Sequence, residues 1–378
     1  MTPSALRLSV DNALDPLISL KLRALSLLGI IMVVVGHAPS YRDPEAPSER
    51  SIPFAIVERL LTDALPRIVV MMFFAVSGFL LLFGHDGSWA THRRKIWSRT
   101  RSLMGPFVLW SLLGILLYLV LQSLPWAEGF FKNPSRRFVD KSIGEIALSL
   151  MFDPVPYQLW FLRDLWVMVL LSPLLRWLLQ RFGFWVVVML AVPHLLDLGL
   201  PSPVRGMRLL TGDTYFWFTI GGLFAVKHLP LTYSSRWAPW WLGAAMLVAI
   251  GRAWGLAHSP YPVDTPLAKT SDIYWFKFVH IVGVPALWVC YDRWLRWMER
   301  PLWMQISSYA FFVFVAHEPL MTMLRKPLIL WLGKGDEMHA IEFFLTLGGT
   351  FALVLLAGWL LRRVAPLVFS FVCGGRGQ

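Results

Sequence analysis

The sequence predicts an all-α, polytopic integral membrane protein with about ten transmembrane helices, and three observations predict it. The 378 residues are 56% hydrophobic and only 15% charged, and the mean hydropathy is +0.57, too apolar for a chain whose whole surface meets water. Apolar windows of about 17–25 residues, the length of helix that crosses a hydrocarbon core, recur from end to end. Lys and Arg gather in alternate loops, as the positive-inside rule requires.

Taken in order, the windows lie near 24–38, 66–84, 103–124, 160–180, 183–200, 214–229, 238–256, 272–291, 303–324 and 341–361. The first follows Lys21 and Arg23 and ends in VVVGHA. Beyond it comes HAPSYRDPEAPSER rather than a small-residue cleavage motif, so it reads as a retained helix. The outer loop from Pro39 to about Leu65 is acidic and Pro-rich and reads as a partly ordered cap. The longest outer connection, Pro125 to Gln158, contains VDKSIGEIALSLMF, whose apolar spacing predicts a short interfacial helix. Neither stretch is large enough for a second domain, so residues 1–378 form a single membrane domain.

With the N-terminus inside, Arg93, Arg94, Lys95, Arg99, Arg101, Arg176, Arg181, Arg293, Arg296, Arg362 and Arg363 all fall on the inner side, where acidic residues are few. Both termini are then cytoplasmic. The net charge of +12 and the pI near 10.0 are accounted for by these loops, with anionic lipid headgroups as partner and no need for nucleic acid. Cys290 and Cys373 stand far apart with no metal-ligand or disulfide spacing.

Five constellations carry potential chemistry. His37 closes an apolar run in which lipid cannot solvate an imidazole, so it faces the protein interior or a water-filled cavity. Arg23, fourteen residues earlier, returns to within about 40° of the same helix face. It is a candidate for the same cavity and equally a snorkelling anchor. In FFAVSGFLL, Ser77 and Gly78 suit close helix approach, and nothing local supplies a base for Ser77. The run from His92 to Arg101 places Arg93, Arg94, Arg99 and Arg101 at an inner mouth, where guanidinium forks suit phosphates, although an ordinary inner loop looks the same. YQLWFLRDLW sets Tyr157, Trp160 and Trp166 at the outer interface, with Arg163 and Asp164 inside the helix needing partners. ISSYAFFVFVAHEPLM places His317 and Glu318 at a depth similar to that of His37.

Together these strings resemble acyltransferase family 3, a family of integral membrane acyltransferases. The resemblance runs in order through VVVGHA, FFAVSGFLL, RTRSLMGPFVLWSLL, LWFLRDL and SSYAFFVFVAHEP, over about residues 20–325. It implies O-acylation of a carbohydrate, commonly with acetyl-CoA or another acyl-CoA as donor substrate and no bound cofactor. The implied acceptor is an extracytoplasmic or lipid-linked saccharide, such as an exopolysaccharide unit at the bacterial inner membrane. His37 matches the family's essential first-helix His, as general base or transient acyl carrier. The family's first-helix Arg stands eleven residues before that His, where this chain has Ser26, and Arg23 lies about one turn deeper.

On that reading Arg23, Arg93, Arg94, Arg99 and Arg101 hold the donor. His37, His317 and Arg163 serve the chemistry, while Trp160, Asp164 and Glu318 meet the acceptor. The rival reading is a transporter or flippase for a lipid-linked sugar, using the same polar residues as a pathway and consuming no acyl donor.

Overall fold

The computed structural model describes residues 14–38, 52–125, 127, 131, 136–204, 208–257, 266–332 and 336–376, so the first part of the acidic outer loop, 39–51, lies outside the described residues. It is a helical bundle. In chain order the helices are α1 (Pro16–His37), α2 (Ile52–Arg59), α3 (Leu65–Leu82), α4 (Trp89–Gln122), α5 (Ile143–Phe152), α6 (Trp160–Phe182) and α7 (Phe184–Leu195). A small antiparallel pair, β1 (Gly199–Pro201) with β2 (Arg208–Thr211), leads into α8 (Gly212–Val226) and α9 (Ala238–Ala257). Then come α10 (Pro266–Cys290), α11 (Pro301–Ser307), α12 (Ala310–Leu332), α13 (Asp336–Val364) and α14 (Pro366–Val372).

Each of the ten apolar windows contains helix, although the fifth runs past α7 into β1 and the ninth spans α11 and much of α12. Among the described residues six helical stretches are long and apolar enough to cross a membrane: Pro16–His37, Ile56–Leu82, Trp89–Gln122, Tyr157–Phe182, Asp272–Glu299 and Met338–Val364. The fifth and sixth windows give short helices, α7 of 12 residues and α8 of 15. The ninth is interrupted, because Glu318 has extended backbone angles (φ −109°, ψ 137°) just before Pro319. A proline lacks the N–H that would continue the helix, and it biases the preceding residue towards extended geometry.

The predicted interfacial helix is α5, opened by a capping box in which Ser142 and Glu145 satisfy each other's backbone N–H. At the centre, α3 and α8 cross at backbone contact: a Cβ on Gly78 would meet the Phe218 carbonyl, and one on Gly221 the Ala75 carbonyl. This is the close approach that SGF in the second window suggested.

Several charges inside the bundle are paired, as low-dielectric surroundings favour. Lys277 of α10 reaches Asp213 at 2.9 Å and Asp197 at 3.0 Å, tying α10 to α8 and to the turn after α7. Arg252 of α9 reaches Asp63 at 2.7 Å and Asp272 at 2.8 Å, joining α9 to the entry of α3 and to α10.

Candidate active site

The C-terminal end of α1 delivers His37 to the junction of α6 and α12. Its ring stacks on Tyr157 with centroids 4.7 Å apart and planes 17° from parallel. It meets the ring of His317 edge-on, at 5.2 Å and 87°. His37 is half-buried and Tyr157 is exposed, whereas His317 has no exposed surface. The two imidazoles singled out by their cost in apolar helices therefore stand side by side.

Local backbone sets the state of His317. Its Nδ1 lies 3.0 Å from the Val313 carbonyl, which can only accept, so Nδ1 carries the proton and donates. Nε2 is then the lone-pair nitrogen, and it is buried without a hydrogen-bond partner among the described residues. The break at Glu318 turns the next carboxylate off the helix ladder. Glu318 accepts from the Thr322 hydroxyl at 2.9 Å and from Tyr157. Gln158 fastens the start of α6 to this place by donating to the Phe314 and Val315 carbonyls, both at 3.3 Å. Tyr157 thus bridges His37 and Glu318, holding one by its ring face and the other by its hydroxyl.

Below the His pair, Phe311, Phe314 and His317 follow one another along one face of α12, with ring centroids 6.1 Å and 6.5 Å apart. Phe161 of α6 closes on Phe314 at 6.0 Å and on Phe74 of α3 at 4.7 Å. At the lower end of this aromatic file the Arg376 guanidinium lies 4.1 Å over Phe311, close enough to Arg99 for the two charges to oppose each other. Arg376 arrives there because the turn after α14 folds back on α4. Gly374 has φ +65°, and an added Cβ would stand 2.5 Å from the Ser102 carbonyl oxygen, so the turn needs glycine for both conformation and space.

The remaining sequence candidates divide. Arg99, Arg101, Arg93 and Arg94 all expose their side chains on α4, Arg101 over the Trp97 ring at 4.7 Å. Arg93 and Arg94 share an open recess with Ala90 and Trp97. Trp160 is half-buried beside Phe74, with centroids 6.1 Å apart. Glu318 joins the His pair through Tyr157.

Arg163 and Asp164 are instead tied to each other and to neighbouring backbone. Arg163 is paired to Asp164 at 2.8 Å and donates to the Phe152 and Arg208 carbonyls at 3.1 and 3.2 Å, while Asp164 accepts the Leu210 N–H at 3.1 Å. The pair clasps α5 and β2 onto α6. Arg23 is exposed on α1, and the buried cation of that helix is Lys21, which is bound to Asp292 and to the Trp288 carbonyl, each at 2.8 Å. Ser26 turns its hydroxyl back to the Leu22 carbonyl at 2.7 Å.

Sequence reasoning placed Tyr157 in an interfacial belt and passed over Arg376. The stack and the return turn join residues far apart in the chain, and no local pattern announces them.

The model of the acyltransferase 3 family, described as an acyltransferase domain, matches residues 21–363. The succinoglycan biosynthesis protein ExoH of Rhizobium meliloti (strain 1021) is 24% identical over 362 residues, covering 94% of this chain and 91% of that protein. No solved structure matches the chain.

Proposed function

The chain belongs to the acyltransferase 3 family, and on that premise we propose that it transfers an acyl group, acetyl in the first instance, from acyl-CoA to a hydroxyl of a saccharide. The acceptor is a lipid-linked or extracytoplasmic unit of a bacterial surface polysaccharide, a reading supported by the similarity to a succinoglycan biosynthesis protein. The observation that carries the proposal is the pair of imidazoles at the head of an aromatic file whose other end is cationic.

In this reading the protein lies in the inner membrane with both termini cytoplasmic. The donor enters from the cytoplasmic side, its phosphates meeting Arg99, Arg101 and the Arg93–Arg94 pair, with Arg376 beside them. The pantetheine arm runs along Phe311 and Phe314 and presents the thioester carbonyl beside His37. The acceptor approaches from the other side, past Trp160 and Tyr157.

His37, the more accessible of the two imidazoles, removes the proton of the sugar hydroxyl. The oxygen then bonds to the thioester carbon, the C–S bond breaks, and the proton passes from the imidazolium to the leaving thiolate. A positioned base of this kind contributes roughly 10²–10⁴-fold. His317 supports the step through its buried Nε2 lone pair, and Tyr157 with Glu318 fixes the plane of His37. Arg163 and Asp164 shape the cavity wall from behind, and Arg23 is left out of the donor path.

Purified protein in detergent, supplied with acetyl-CoA and a polysaccharide repeat unit, should release free thiol and yield an acylated glycan. A lipid-linked-sugar carrier releases no thiol under these conditions, and that outcome would refute the enzyme.

A further inference from the structure

The loop from α3 to α4 and the last turns of α6 enclose a second cationic cluster that the acyl-transfer site does not use. His85 and His92 have ring centroids 3.9 Å apart, and both are buried. The Gly87 N–H donates to His85 Nδ1 at 2.9 Å, so the proton of the neutral ring sits on Nε2. That Nε2 is buried and has no acceptor among the described residues.

Arg176 comes from α6 and is only 9% exposed. Its Nε has no hydrogen-bond partner among the described residues, and Asp86, whose charge reaches it, is not within ion-pair distance. Its terminal nitrogen lies against the loop, where a Cβ on Gly87 would stand 3.2 Å away. Lys95, one turn beyond His92, is already occupied in capping α3 through the Leu81 and Phe83 carbonyls at 2.8 and 2.9 Å. Asp86, the carboxylate of this loop, is 62% exposed and holds the Ser88 N–H and hydroxyl, each at 3.0 Å.

A buried guanidinium without an anion is strongly disfavoured, and so is a buried N–H without an acceptor. Here an unpartnered guanidinium Nε and an unpartnered imidazole Nε2 occur in one cluster drawn from two helices and a loop, and the exposed Asp86 answers its charge only from the rim. Burial, and after it the charges of His92, Arg176 and Lys95, outweigh the opposing pull of Asp86 and hold His85 down at about 4, so its ring is neutral near pH 7 and available as an N–H donor.

We propose that Arg176, His85 and His92 form a binding site for a phosphate group. The guanidinium fork would take two oxygens and the imidazole N–H groups a third, the multi-oxygen pattern that a phosphate offers and a halide lacks. Two sources present such a group. One is the nucleotide phosphate of the donor, and this source rests on the acyl-CoA reading above. His92 lies seven residues before Arg99 on the same face of α4, about 10 Å along the axis, so a donor could span both positions. The other source is an anionic phospholipid headgroup of the inner leaflet.

The full-length protein in uncharged detergent tests this with inorganic phosphate, CoA, 3′-dephospho-CoA and native mass spectrometry of retained lipid. The wild type should gain thermal stability on addition of phosphate. It should also either bind CoA at least about tenfold more tightly than 3′-dephospho-CoA, which identifies the donor, or carry a phospholipid, which identifies the headgroup. Arg176→Gln should abolish the phosphate effect and whichever of the two signals is present. His92→Gln should weaken both, and it provides the measurement if Arg176→Gln fails to fold.

A retained phospholipid with no CoA binding at all would overturn the donor reading while leaving the phosphate site standing. Unchanged phosphate stabilisation, CoA discrimination and lipid retention in both variants would overturn the site. So would a wild type that shows none of the three signals.

Discussion

In the variant Arg163→Met, the Asp164 carboxylate keeps the Leu210 N–H at 3.1 Å but loses the guanidinium that meets it at 2.8 Å. Both residues are almost wholly buried, at 3% and 1% exposure, so the carboxylate is left as an uncompensated charge. Removing one partner of such a pair costs about 3–5 kcal/mol. In the double variant Arg163→Met/Asp164→Leu the charge is gone. The freed Phe152 and Arg208 carbonyls come from residues that retain solvent access, and the main remaining cost is the orphaned Leu210 N–H, about 1–3 kcal/mol. The double variant should therefore be more stable than the single one. Denaturant unfolding in detergent, with turnover expressed per folded molecule, reads both quantities. An Arg163→Met protein of wild-type stability but without turnover would refute the assignment of this pair to the scaffold and place Arg163 in the chemistry.

Three further outcomes follow from the geometry. Gly221→Val drives a side chain into the Ala75 carbonyl at the α3–α8 crossing and should cost about 3 kcal/mol in thermal or denaturant unfolding, the upper end for overpacking, whereas Gly243→Ala, which meets open space inside α9, should not destabilise and should gain up to about 1 kcal/mol of helix propensity. His85 is held at about 4 in the folded protein against 6.5 when unconstrained, so the unfolded chain binds more protons between those values and stability falls as pH drops through that window. His85→Gln should flatten this loss, in surroundings set by His92, Arg176, Lys95 and Asp86; an unchanged pH profile of the melting temperature would count against it. Tyr157→Phe keeps the stack on His37 but drops the bond to Glu318 and should lower kcat/KM about tenfold, while Tyr157→Ala, losing both, should lower it further in the same thiol-release assay.

Much of the site was legible because burying an imidazole is expensive. His37 and His317 stood out in apolar helices, and the fold brings them to 5.2 Å. The same reasoning singled out Arg163 and Asp164, but cost alone does not say what relieves it. Their partners, Phe152, Arg208 and Leu210, come from a connection and a strand pair that periodicity does not position.

Arg23 was chosen by helical phase with His37, yet two residues suffice to change which cation of α1 turns inward, and it is Lys21 that finds Asp292. Helix existence followed the apolar windows throughout. Span length did not, because α7 and α8 are short and Glu318 interrupts α12. The return turn that brings Arg376 to Phe311 depends on two glycines with positive φ after α14, a local signal for a turn that does not disclose its destination.

In the proposed mechanism His37 performs the transfer with His317 beside it. The most direct measurement is the transfer of labelled acetyl from acetyl-CoA to the glycan by wild-type, His37→Ala and His317→Ala proteins of equal folded content. His37→Ala should lose at least the roughly 10²–10⁴-fold contributed by a positioned base, with His317→Ala also impaired. Transfer by His37→Ala at a rate near the wild type would contradict this mechanism.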